Sequence, residues 1–139
     1  MMRICVLTSI LLFAAACTDS TITPSSYLPF SQVDLVVGTG AEAAAGKTVT
    51  MDYTGWLYDP AQTNQLGAQF DSSIGTTPFV FGLGSNQVIR GWEQGVPGMK
   101  VGGVRRLVIP PSLAYDGTRQ GKIPPNATLI FEITLLNVQ

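Results

Sequence analysis

The chain has 139 residues, 45% hydrophobic and only 12% charged, with a formal net charge of −1 and no histidine. That length supports one domain with its own core and is short for two. A near-neutral balance provides no basic field for nucleic acid, and having no histidine and only two cysteines, Cys5 and Cys17, removes Ser-His-Asp and Cys-His nucleophiles and nearly every zinc arrangement.

Residues 1–16 carry one basic side chain, Arg3, then an apolar run from Ile4 to Ala16 that suits a signal-peptide core and is short for a membrane span. Ala14-Ala15-Ala16-Cys17 resembles the lipobox of bacterial lipoproteins, with Ala where Leu is usual. The resemblance implies cleavage before Cys17, lipidation of Cys17, and an exported chain anchored to a membrane, at the outer membrane or a periplasmic face. An ordinary Ala-x-Ala cleavage site is the alternative. Cys5 would leave with the signal, so the mature chain would hold no intrachain disulfide. Residues 17–30, rich in Ser, Thr and Pro, read as a flexible tether to a domain spanning 31–139. Losing Arg3 leaves 7 basic and 9 acidic side chains, a mature charge of −2.

From Ser31 onward alternation dominates. Val33, Leu35 and Val37 alternate with polar neighbours, as do Val49, Met51 and Tyr53 against Thr48, Thr50, Asp52 and Thr54. Both runs predict half-buried strands with these apolar residues inward. "TPFVFGLG", "VRRLVIP" and "ATLIFEITLLNVQ" add strands, the last with Leu129, Phe131, Ile133 and Leu135 on one face. Leu57 to Phe70 is polar with Pro and Gly and reads as an extended loop. Val88, Ile89, Trp92 and Val96 recur at helical spacing, so the segment from Gln87 to about Gln94 predicts one short helix covering the sheet. The fold class is α+β: an antiparallel sheet curled around one short helix.

Two apparent motifs carry nothing. "GAEAAAGKT" imitates a phosphate loop, but five residues separate Gly40 from Gly46 where four are required, and a β-patterned run follows instead of a helix. Asn126 heads a glycosylation sequon, which would mean little if the chain is a bacterial lipoprotein. Acidic residues lack calcium-loop spacing, so no metal site is expected. No cofactor is expected either.

Aromatic and apolar residues recur at strand ends: Tyr53 in "MDYTGW", Phe70 and Asp71 in "FDSS", Phe79 in "PFVF", Trp92 in "QVIRGW", Tyr115 in "LAYDG", Ile123 in "KIPPNATL" and Phe131 in "LIFEI". Each alone is an ordinary core residue or turn former. As an ordered series, "VVGTGAEAAAGKTVTMDYTGWL", "FDSS", "PFVFGLG", "QVIRGWEQGVPGMKVGGVRRLVIPPSLAY" and "IPPNATLIFEITLL" resemble the FKBP family of peptidyl-prolyl cis/trans isomerases from about Val33 to Val138.

The resemblance implies five or six antiparallel strands wrapped around the helix, with a pocket between them. Trp92 would be its floor, and Tyr53, Phe70, Phe79, Val88, Ile89, Tyr115 and Phe131 its walls, with Gln87 and Ile123 completing the substrate-binding set. Asp71, Tyr53, Tyr115 and Phe131 would be the catalytic group: the Ile89 N–H and the Tyr115 hydroxyl would bind substrate carbonyls, and Tyr53 would orient Asp71 beside the twisting amide. Proline-containing polypeptides and macrolide inhibitors are the implied ligands, and a monomer is expected. Three departures stand out. The loop Ile74–Thr77 lacks the Arg that often pairs with the Asp, the segment Asp116–Ile123 is more polar than the usual apolar flap and weakens the case for tight macrolide binding, and the loop Asp59–Gln69 looks longer than in small members. A non-catalytic module that captures proline-containing segments is the alternative function, favoured by the altered loops; the retained Tyr53, Asp71, Trp92, Tyr115 and Phe131 favour catalysis.

Overall fold

The computed structural model describes residues 27–139; the readings of residues 1–26, including Cys17, lie outside the described residues. Among the described residues, six strands form one antiparallel sheet, β1 (Ser31–Val36), β2 (Thr48–Tyr58), β3 (Leu66–Ser72), β4 (Phe79–Gly82), β5 (Val104–Ile109) and β6 (Leu129–Val138), with one α-helix, α1 (Arg90–Gly95). The strand order is β1-β5-β6-β2-β3. β4 pairs with the first half of β2, from Thr48 to Met51, and β3 with its second half, so one long strand carries two partners along the same edge.

The alternation of β2 and β6 lands where the sequence puts it. Val49, Met51, Leu129, Ile133 and Leu135 are fully buried and share one core cluster with Leu107 and Ile109 of β5. The helix lies over this face, held close by two glycines. A Cβ on Gly91 would fall 2.5 Å from Ile109 Cγ2, and one on Gly95 2.6 Å from Leu107 Cδ1. A side chain at either position would overpack the seam between the helix and β5.

Strand β1 corrects the expected register. It is exposed along its whole length, and Val33 and Leu35 face solvent. Asp34 instead meets Arg105 on β5, at 2.6 Å from Nε, while the buried Arg105 guanidinium also donates to the Gly95 and Pro97 carbonyls. A period of two defines two faces without saying which is inward. Here the demand of a buried cation for a carboxylate decides it.

The expected loop from Leu57 to Phe70 is also corrected. β2 continues to Tyr58 and β3 begins at Leu66, leaving a short connection that contains a 3₁₀ turn at Thr63–Gln65. β3 is a half-exposed edge strand whose pairing with β2 shifts register at Trp56, so "LGAQFDS" never needs an alternating apolar pattern. The helix itself begins three residues later than the expected Gln87, with Ile89 at its N-cap. At Lys47–Thr48 the chain enters β2, as the rejection of a phosphate loop required.

Candidate active site

The sheet and the helix enclose a cavity of about 510 Å³. β2 supplies Tyr53, β3 Phe70 and Asp71, β4 Phe79, β6 Phe131 and α1 Trp92; the turn before α1 adds Gln87, Val88 and Ile89, and the segment between β5 and β6 adds Tyr115 and Ile123. All eleven residues singled out in the sequence for catalysis or substrate binding therefore border one cavity. Gln120, Gly121 and Lys122 border it as well. The sequence marked their segment as a polar flap, but without periodicity there was no signal for which of its side chains reach the cavity.

Trp92 is 6% exposed and forms the base. Three rings meet it edge-on: Tyr53 at 5.1 Å, Phe131 at 5.1 Å and Phe79 at 5.6 Å between centroids. Edge-to-face contacts favour the quadrupoles of both rings and fix each plane relative to its neighbour. Gly55 on β2 backs two of the cavity's rings, since a Cβ there would fall 2.5 Å from Phe70 Cζ and 2.8 Å from Phe131 Cε1. Its bare backbone lets those rings meet at 5.5 Å and 87°. Trp92 Nε1 is buried without a hydrogen-bond acceptor among the described residues.

Among the polar groups of the cavity, Tyr53, Asp71 and Gln87 are held by hydrogen bonds. Tyr53 donates its hydroxyl to Asp71 Oδ2 at 2.6 Å, and the Ser72 N–H donates to Asp71 Oδ1 at 2.8 Å. Tyr53 makes the hydrogen bond expected of it to Asp71, and the nearby loop Ile74–Thr77 holds no arginine. Burial, then the hydrogen bond and the charge of Asp71, push the Tyr53 hydroxyl well above its usual range. Burial and the Asp71 charge raise Tyr115 too. Both hydroxyls are protonated donors at neutral pH. Gln87 is spent on the fold: its Oε1 accepts from the Gly82 N–H at 2.9 Å and ties the end of β4 to the turn before α1. Arg90 donates to the Ser112 carbonyl, linking α1 to the 3₁₀ turn Pro111–Leu113 just before Tyr115.

A rigid apolar cup with hydroxyl donors and one carboxylate at its rim suits a reaction that breaks no bond. Rotation about an Xaa-Pro amide meets a barrier of roughly 18–20 kcal/mol from resonance, and a site lowers it by binding the twisted amide better than the planar one. A family model described as FKBP-type peptidyl-prolyl cis-trans isomerase matches residues 39–136. The chain belongs to that family. It is 46% identical over 111 residues to FK506-binding protein 1B of Neurospora crassa, covering 78% of this chain and 97% of that one. It is 49% identical over 107 residues to an FK506-binding protein of Neisseria meningitidis serogroup A, covering 76% and 92%. Among solved structures it resembles FkpA from Escherichia coli with a TM-score of 0.67 and 38% identity, over 79% of this chain and 48% of that one. The activity is peptidyl-prolyl cis-trans isomerisation, and the fold is the six-stranded sheet and short helix of this family.

Proposed function

We propose that this FKBP is an exported, lipid-anchored isomerase that acts on Xaa-Pro bonds of exported or membrane-associated proteins, with residues 1–16 as its signal, Cys17 as the lipidated residue, 17–30 as the tether and 31–139 as the catalytic domain. The observation that supports the catalytic part is the ring of edge-on aromatics around Trp92 with the Tyr53–Asp71 hydrogen bond at its rim. The proline ring rests on Trp92 between Tyr53, Phe79 and Phe131, while Phe70, Val88 and Ile123 close the sides. The Ile89 N–H and the Tyr115 hydroxyl hold substrate carbonyls while the amide turns. Asp71 acts by its field and by positioning, because no proton is transferred when an amide rotates. The domain works as a monomer, and macrolides occupy the same cup less tightly than in members with an apolar flap.

Two measurements test this reading. Asp71→Asn is expected to lower turnover of a Leu-Pro peptide modestly, and a loss of several orders of magnitude would refute an electrostatic role. For the anchor, the full chain expressed in a bacterium is expected to incorporate radiolabelled palmitate and to lose it in Cys17→Ser; an unlabelled, processed wild-type chain would replace the lipoprotein reading with a freely secreted one.

A further inference from the structure

We infer that Lys122 sets substrate preference, favouring an acidic residue immediately before the proline. The inference rests on the reading of the cavity given above. Among the described residues that line the cavity, Asp71 and Lys122 are the charged ones. Asp71 is engaged by Tyr53 and the Ser72 N–H, whereas Lys122 forms no ion pair among the described residues. An unpaired ammonium on the wall of a binding cavity is a receptor for a ligand carboxylate.

The flap fixes the backbone that carries this exposed side chain. Gln120 and Ile123 exchange both backbone hydrogen bonds, at 3.0 and 2.8 Å, closing a two-residue turn whose tip is Gly121-Lys122. Gly121 sits at φ +53°, the left-handed region that such tight turns require. On the far side of the turn, Ile123 is anchored in the core. The backbone of Lys122 thus lies between a hydrogen-bonded turn and a buried side chain, so little backbone freedom is lost when its exposed side chain meets a ligand.

Charge balance indicates the position. In the proposed pose Asp71 lies beside the carbonyl of the residue preceding proline, and alone it would repel a carboxylate on that residue. Lys122 offsets the repulsion, and the two charges together tolerate or favour Glu where an uncharged flap would reject it.

The test uses the full chain and peptides that differ in one residue before proline, Glu-Pro against the isosteric Gln-Pro. The readout is the ratio of their kcat/KM values at low salt. Lys122→Ala is expected to lower the Glu/Gln ratio about two- to fivefold, the range of an exposed charge pair. Lys122→Glu should lower it further and Lys122→Arg should keep it, and the wild-type preference should fade in about 1 M salt, where the screening length is only about 3 Å. A ratio that Lys122→Ala and Lys122→Glu leave unchanged overturns the inference. Failure to turn over even the Gln-Pro peptide would instead overturn the reading of the site itself.

Discussion

The hydroxyl of Tyr53 on β2 donates to Asp71 Oδ2 on β3 across 2.6 Å, so the one carboxylate in the cavity is aimed by a side chain that is itself a wall of the cup. Aromatic packing and electrostatics are therefore a single unit: the ring of Tyr53 meets Trp92 at 5.1 Å while its oxygen holds Asp71.

Tyr53→Phe should separate the two roles. The ring stays and the donor goes, so kcat/KM on a Leu-Pro peptide is expected to fall about tenfold, the worth of one hydrogen bond to a charged acceptor. The same substitution has a signature in alkali. Because the folded-state value of Tyr53 is raised, its contribution to stability is fully present below the unfolded value of about 10 and is lost as pH rises through the folded value. The urea midpoint of the wild type should therefore decline above about pH 10, and Tyr53→Phe should flatten part of that decline, leaving the share of Tyr115. An alkaline profile identical in both proteins would remove Tyr53 from the account.

At the other end of the sheet Asp34 and Arg105 set a second pH dependence, of opposite sign. The hydrogen bond from Arg105 holds the Asp34 carboxyl below its ordinary 3.8, outweighing the effect of burial. A lowered value means the stabilisation is present above 3.8 and lost as pH falls through the folded value. Asp34→Asn should thus cost about 1–2 kcal/mol near pH 7, since the Asp34 side chain is 42% exposed but its partner is nearly buried. In an acid titration of stability, the gap between wild type and variant should close below 3.8; a gap constant to pH 2 would mean that shape, not charge, carries the effect.

These two pairs also mark where the sequence is informative and where it is not. β2 and β6 were legible because Val49, Met51, Leu129, Ile133 and Leu135 are inward on a face with no competing charge. β1 had the same alternation and the opposite outcome, because the buried Arg105 lies 71 residues away and no local pattern reports it. The cavity residues were legible only as an ordered series, since each aromatic alone is indistinguishable from core. The flap turn was not legible: nothing in Gln120-Gly121-Lys122-Ile123 repeats with a strand or helix period, and its geometry comes from the pairing of Gln120 with Ile123.

Glycine substitutions distinguish the frame from the cup. Gly91→Ala introduces a Cβ 2.5 Å from Ile109 Cγ2, between the helix and β5. Overpacking of this kind costs about 1–3 kcal/mol, offset by less than about 1 kcal/mol from the better helix propensity of Ala, so thermal stability should fall while the cavity rings keep their order. Gly55→Ala places its Cβ against Phe70 and Phe131, two walls of the cup. Those rings can turn away toward the open cavity, which relieves the clash at the expense of their 87° contact. Gly55→Ala should therefore lower kcat/KM more steeply than it lowers the melting temperature, and Gly91→Ala should do the reverse. Measuring both quantities on both variants checks the assignment, because equal losses in the two would mean that the helix packing and the cavity walls are one cooperative structure and that the cup has no geometry of its own to lose.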